Sequence, residues 1–253
     1  MSSNFKQKIR NNQVLLGSVV TIPSSTTAEI MSLMGFDWLW IDMEHAPLSL
    51  EKIQEIMQAA GNRCTCLVRV PCNDRVWMTR VLDSGCDGII VPQVNSAEEA
   101  EQVVNACKYA PEGNRSVTIS RAQNYGINLQ AYYEHANENM IIVLQIEHIE
   151  AVRNIESIID VPGFDAIVIG PFDLSSSLGK TGLINDPEVQ EAIATVKQAC
   201  LKKGIPIGIY VNDAPGAISA KNNGFTFIAV GIDFMYFWKS AKQTLEEIVS
   251  TEN

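Results

Sequence analysis

The sequence predicts a (β/α)8 TIM barrel, and three observations lead there. The chain has 253 residues, and about 250 is typical of one such barrel. Eight short apolar runs punctuate it, each with the length and composition of a strand buried on both faces. Helical patterns with their own start and stop residues separate those runs, as parallel strands require.

The first run is 14–20, and Ser25 or Thr26 caps a helix before Ala28-Glu29-Ile30-Met31 that Gly35 should end with a left-handed residue. The second run is Trp38–Asp42, followed by a helix between Ser49 and Gly61. The third is Thr65–Arg69, and Gly85 closes the helix after it. The fourth is Gly88–Val91, with Ser96 opening the next helix. The fifth and sixth are Ile141–Ile146 and Ala166–Ile169. Gly204 ends the helix ahead of the seventh run, 206–211. Asp213 and Gly224 bracket the helix before the eighth, 227–230, and a last helix covers about 233–248. A polar stretch at 109–126, holding Arg115 and Arg121, lies between the fourth helix and a helical segment near 129–137. Loops this long are usually functional or disordered, and this one, coming after strand four, is expected over the carboxyl-end mouth. The residues after Asp173, 174–182, read as a second such loop. With no linker or low-complexity tract, 1–253 reads as one domain.

Composition narrows the function. The balance of 29 acidic against 19 basic residues gives a formal charge of −10, which argues against nucleic acid as a partner because such proteins carry a basic face. No run approaches the roughly 20 apolar residues of a membrane span, and the start has no leader pattern, so a cytoplasmic protein with a small-molecule substrate is expected. Six scattered cysteines, Cys64 and Cys66 included, read as reduced, packed thiols.

Polar groups gather where the apolar runs end. Trp38-Leu39-Trp40-Ile41 leads into Asp42-Met43-Glu44-His45, Ile141-Ile142-Val143-Leu144 into Gln145-Ile146-Glu147, and Ala166-Ile167-Val168-Ile169 into Gly170-Pro171-Phe172-Asp173. Catalytic groups collect at this end of a barrel. Glu147 and Asp173 end adjacent strands, so their carboxylates can converge and hold Mg²⁺ or Mn²⁺ with water and substrate oxygens; helix capping or solvent exposure is the other reading of two isolated acids. Gly170-Pro171 lets backbone N–H groups approach a substrate carboxylate. His45 is a candidate base whose basicity the neighbouring acids would raise. Arg69, ending strand three, meets either a substrate oxygen or Asp42 or Glu44 in a structural ion pair.

Six blocks together resemble the HpcH/HpaI family of metal-dependent (class II) pyruvate aldolases, in order along nearly the whole chain. They are Gly35-Phe36-Asp37-Trp38-Leu39 with Asp42-x-Glu44-His45-Ala46-Pro47, Val68-Arg69, Leu82-Asp83-x-Gly85, Val91-Pro92-x-Val94, Gln145-Ile146-Glu147 and Gly170-Pro171-x-Asp173-Leu174-Ser175. The resemblance implies a divalent metal (Mg²⁺, Mn²⁺ or Co²⁺) on Glu147 and Asp173, stabilising a pyruvate enolate as a Lewis acid. It implies that the backbone around Phe172 and Asp173 cradles the pyruvate carboxylate, that His45 is the base through a metal-bound water, that Arg69 steadies the oxyanion and that Gln145 sits beside the metal. Asp83 matches an aspartate that raises the basicity of the histidine. Because it precedes strand four, at the other end of its own barrel, it would act across a subunit interface. A homohexamer, a trimer of dimers with the last helix exchanged, follows by the same resemblance. Val19 and Tyr210 stand where family members carry Trp and Leu at the acceptor entrance, and Arg115-Ser116 where Arg-Gly is common.

The expected activity is reversible cleavage of a 4-hydroxy-2-oxo acid to pyruvate and an aldehyde. Arg115 and Arg121 would favour an acceptor with an acidic tail, unless they only fasten their loop to acids at an interface. A related lyase or decarboxylase acting on an oxaloacetate-like acid is the alternative, and a non-catalytic binding protein on the same scaffold the third.

Overall fold

In the computed structural model, which describes residues 2–127 and 129–250, eight parallel strands close into a barrel in sequence order. They are β1 (Leu15–Val20), β2 (Trp38–Asp42), β3 (Thr65–Arg69), β4 (Gly88–Val91), β5 (Ile141–Ile146), β6 (Ala166–Ile169), β7 (Ile207–Val211) and β8 (Phe227–Ile232). Helix α1 (Ser2–Arg10) precedes them. The connections carry α2 (Ser25–Leu33), α3 (Leu50–Ala60), α4 (Arg75–Asp83), α5 (Ala97–Cys107), α6 (Leu129–Asn139), α7 (Ile149–Arg153), α8 (Ile155–Ile158), α9 (Pro171–Ser177), α10 (Pro187–Lys203) and α11 (Ala214–Asn222), and α12 (Asp233–Ser250) follows β8. Strand β8 returns to pair with β1.

The caps form as side-chain chemistry dictates. Ser49, Ser96 and Asp213 each accept a backbone N–H from the first turn of α3, α5 and α11. Helix α2 is capped by Ser24, one residue ahead of the expected Ser25 or Thr26, its hydroxyl accepting the Thr27 N–H at 3.2 Å. The expected loop after Asp173 is largely helix α9. Ser175 and Ser177 hydroxyls donate to the carbonyls of Phe172 and Leu174 three residues back, so polar composition that suggested a loop is absorbed within the turn.

Two layers of apolar side chains bury the strands. Inside the barrel Trp38 stacks on Phe227, ring centroids 4.0 Å apart. Gly17 makes the room, because a Cβ there would stand 2.3 Å from the Trp38 ring. Phe5 and Ile9 of α1 join this inner cluster, and buried Lys6 pairs with Asp165 at 3.1 Å, so α1 plugs the amino end. A repeated device closes that end. Asp37, Asp87 and Asp165, each just ahead of an even-numbered strand in a Gly-x-Asp triplet, accept the backbone N–H of Leu16, Cys66 and Ile142 on the preceding strand at 2.9, 2.9 and 3.0 Å. The stagger of a closed barrel leaves such donors in need of partners. Among the described residues no helix is long and apolar enough to cross a membrane.

Candidate active site

The carboxyl ends of the strands open into a cavity of about 490 Å³. Its polar floor starts at the last residues of β2 and β3, Asp42 and Arg69, which are in register. Asp42 accepts the guanidinium fork, Nε to Oδ1 at 2.9 Å and Nη2 to Oδ2 at 2.6 Å. The same Oδ1 accepts the backbone N–H groups of Glu44 at 2.9 Å and His45 at 3.3 Å, turning the chain so that His45 faces the cavity. Glu44 Oε2 lies 3.0 Å from Arg69 Nη1 and 3.9 Å from His45 Nε2. Arg69 therefore makes both of the ion pairs that its sequence left open, yet still lines the cavity, 5.0 Å over the Trp40 ring.

Glu147, one residue past β5, is 1% exposed. Its Oε1 accepts the Gln93 backbone N–H at 2.9 Å, and its Oε2 accepts from Gln145 Nε2. Burial and then the Glu44 charge push its carboxyl up to about 7. Burial likewise lifts Glu44 to about 7 against the pull of Arg69, with Asp42 and Asp173 adding to the rise. Asp173 sits in the first turn of α9, a turn whose N-cap, Gly170, supplies no side chain. A Cβ on Gly170 would stand 3.0 Å from Glu147 Oε2 and 3.2 Å from Gln145 Nε2, so glycine lets the backbone close over the carboxylate.

This floor fits a divalent cation on physical grounds. Four carboxylates gather around the floor with one arginine, two of them, Asp42 and Glu147, are buried, and Gln145 Oε1 is buried with no hydrogen-bond partner. Among the described residues no group of three or more His, Cys, Asp or Glu is placed to hold a metal, so a cation here would rest on Glu147 and Asp173 with water and substrate oxygens. The folded carboxyls of Glu44 and Glu147 titrate above their usual value near 4.5. The native chain therefore binds protons that the unfolded chain releases, and the associated stability, complete below about pH 4.5, is lost as pH rises through about 7. The thermal midpoint of chelator-treated protein is expected to fall between about pH 5 and pH 8, and Mg²⁺ or Mn²⁺ to raise it more at the higher pH. A pH-independent midpoint with no cation effect would contradict the burial of these acids.

The walls above are apolar. Val19 of β1, Phe172 of α9 and Tyr210 of β7 line the cavity, as does Phe234 of α12. The Tyr210 hydroxyl donates to Asn212 Oδ1 at 3.0 Å, leaving its ring toward Phe172 at 6.3 Å. Thr21 Oγ1 donates to Asp233 Oδ1 at 2.7 Å, and Asp233 also takes the N–H groups of Thr21 and Ile22, fastening α12 to the end of β1.

The structure thus brings together His45, Arg69, Gln145, Phe172, Asp173, Val19 and Tyr210 on one cavity, with Glu147 beneath Gly170. It does not bring Asp83, Arg115 or Arg121 there. Arg121 Nη1 donates to the carbonyls of Ser84 and Gly85 at 2.8 and 3.0 Å, and Arg115 Nη2 to Asp83 Oδ1 at 2.8 Å. These contacts lie ahead of β4, at the amino end. The 109–126 loop follows helix α5, which has already carried the chain back to that end, so the expected place over the mouth is corrected, and Arg121 does not line the cavity of its own chain. Asp83 lies where its place before β4 put it. Sequence reasoning missed Gln93, Thr21, Trp40 and Phe234. Gln93 was the unassigned position in Val91-Pro92-x-Val94; its backbone holds a left-handed φ of 55° that aims its N–H at Glu147, a conformation rare outside Gly and Asn.

Residues 19–240 match the model of the HpcH/HpaI aldolase/citrate lyase family. The chain belongs to this family. A 5-keto-4-deoxy-D-glucarate aldolase from Klebsiella pneumoniae is 36% identical over 97% of this chain and 96% of its own. An HpcH/HpaI aldolase/citrate lyase family protein from Burkholderia cenocepacia has a solved structure similar to this one at TM-score 0.94, 30% identical, covering 97% of this chain and 99% of that one. The HpcH/HpaI aldolase from Desulfitobacterium hafniense gives TM-score 0.89 at 30% identity, over 96% and 95%.

Proposed function

We propose that this HpcH/HpaI chain is a class II pyruvate aldolase that reversibly cleaves a 4-hydroxy-2-oxo acid to pyruvate and an aldehyde. The observation that carries the reading is that Asp173, Arg69 and His45 line one cavity at the carboxyl end of the barrel, with Glu147 buried beneath its Gly170 wall. As a member of this family with aldolases 36% identical over 97% of its length, the chain is a carbon–carbon lyase.

Glu147 and Asp173 would hold a divalent cation, which when bound supplies Lewis acidity at the 2-oxo carbonyl. The backbone N–H groups of Phe172 and Asp173, in the uncapped first turn of α9, receive the substrate carboxylate. His45 takes the proton of the C4 hydroxyl; the C3–C4 bond then breaks, the aldehyde leaves, and the electron pair passes into the pyruvate enolate, which takes a proton at C3. Arg69, held rigid by Asp42 and Glu44, donates to the developing oxyanion. Gln145 orients Glu147. Asp83 lies away from this cavity, bonded to Arg115, so a role in tuning His45 requires a second copy of the chain. Exposed apolar side chains on α12, among them Phe237 at 77% and Leu245 at 62%, support a homo-oligomer, here proposed as a hexamer in which that helix is exchanged.

The test follows pyruvate release from a 4-hydroxy-2-oxo acid and from oxaloacetate, with Mg²⁺, Mn²⁺ or Co²⁺ and after chelation. Cation-dependent release from the hydroxy-oxo acid is expected. Release from oxaloacetate alone would favour the decarboxylase reading, and full activity after exhaustive chelation would remove the cation from the account.

A further inference from the structure

We infer that Gln93 is a positioning residue for Glu147: the N–H of its left-handed backbone, and not its side chain, fixes that carboxylate in the orientation a divalent cation needs. This rests on the reading of Glu147 and Asp173 as the ligands of the cation. Glu147 is 1% exposed, enclosed by its own chain, so the contact does not depend on a second copy at the mouth. Its Oε1 accepts the Gln93 N–H at 2.9 Å, and its Oε2 accepts from Gln145 Nε2. Gln145 belongs to β5, the strand that delivers Glu147, and shifts with it. The Gln93 N–H comes from the turn after β4 and anchors the carboxylate to a different strand. With one donor on each oxygen the carboxylate cannot turn without breaking a hydrogen bond, yet each oxygen keeps a lone pair for a cation.

The donor points at Glu147 because the backbone is held against its own preference. Gln93 has a φ of 55°, which is costly for a residue with a Cβ and persists only where the surroundings impose it. Hydrogen bonds around the turn do so. Asn95 Nδ2 donates to the Gln93 carbonyl at 3.2 Å, the Asn95 N–H to Glu99 Oε2 at 2.6 Å, and Asn154 Nδ2 to the Asn95 carbonyl at 2.8 Å. The turn is thereby tied to the first turn of α5 on one side and to the end of α7, beyond Glu147, on the other. The Gln93 side chain is exposed and does not line the cavity. An ordinary negative φ here would swing the N–H away and leave a buried carboxylate oxygen unpaired.

The experiment titrates Mn²⁺ calorimetrically into the intact wild type, Gln93→Gly, Gln93→Pro and Glu147→Gln, and records the metal-free thermal midpoint of each. Glycine takes a positive φ freely and keeps the N–H, so Gln93→Gly should bind Mn²⁺ within about 3-fold of the wild type although the side chain is gone. Proline sets φ to about −65° and removes the donor, so Gln93→Pro should bind about 10-fold or more weakly, as loss of a hydrogen bond to a metal ligand typically does. Should Gln93→Pro not fold, Gln93→Val carries the same expectation, because a β-branched residue resists a left-handed φ. A folded Gln93→Pro or Gln93→Val protein whose metal-free midpoint falls while its Mn²⁺ affinity stays at the wild-type value overturns the inference, since that is what a merely structural turn would do. A Gln93→Gly protein that loses affinity as the proline variant does also overturns it, by placing the effect in the side chain. Wild-type binding that is lost in Glu147→Gln but kept in Gln93→Pro sinks this inference alone; a wild type that binds no Mn²⁺, or Glu147→Gln binding as tightly as the wild type, sinks the metal reading with it.

Discussion

Glu147→Gln should lose aldol cleavage by on the order of 10²-fold or more while the chain stays folded. The substitution keeps the side chain's size and an oxygen for the Gln93 N–H, but it removes the charge that a divalent cation needs. Stability should not follow activity. In the native chain burial and the Glu44 charge already oppose ionisation of this carboxyl, so the neutral amide relieves a like-charge cluster. The metal-free thermal midpoint near pH 8 is expected to stay level or rise, as it often does when a strained functional group is replaced. Calorimetric titration with Mn²⁺ should show weakened binding. Tight Mn²⁺ binding with retained cleavage would remove Glu147 from the metal site.

His45→Ala is expected to lose cleavage by about 10²-fold or more, as loss of a general base usually does, while Mn²⁺ binding persists. The side chain is 58% exposed and its nearest charged partner, Glu44, is 3.9 Å away, so the fold should change by no more than about 0.5 kcal/mol. Arg69 behaves differently. Removing it strands Asp42 and Glu44, and a lost buried partner costs stability as well as rate. His45 therefore separates chemistry from folding more cleanly than Arg69 does.

The strands were legible because burial on both faces makes each a near-continuous apolar run. Trp38–Asp42, Thr65–Arg69, Gly88–Val91, Ile141–Ile146 and Ala166–Ile169 are found with the expected bounds, and the other three differ by one or two residues at an end. Site residues were legible where they end such a run, since strand direction alone delivers Arg69 and Asp173 to one mouth. The place of the 109–126 loop was misread because polar composition carries no direction; α5 reverses the chain before it, and of the two readings open for Arg115 and Arg121 the contacts within the chain are those that fasten the loop. Gln93 left no signal, because its contribution is a backbone N–H. Thr21 and Phe234 reach the cavity through the link between β1 and α12 made by Asp233, a contact 212 residues apart that no local pattern announces. The paired acids around Arg69 were visible only as alternatives, and the register of Asp42 with Arg69 makes them simultaneous.

The central claim is that this floor makes the pyruvate enolate, and the most direct measurement is exchange of the pyruvate methyl protons in D₂O, followed by NMR with no aldehyde present. The account predicts exchange in the Mg²⁺- or Mn²⁺-loaded wild type, its loss on chelation with recovery on adding the cation back, and its loss in His45→Ala despite a bound cation. Exchange that survives exhaustive chelation, or that runs at the wild-type rate in His45→Ala, would contradict it.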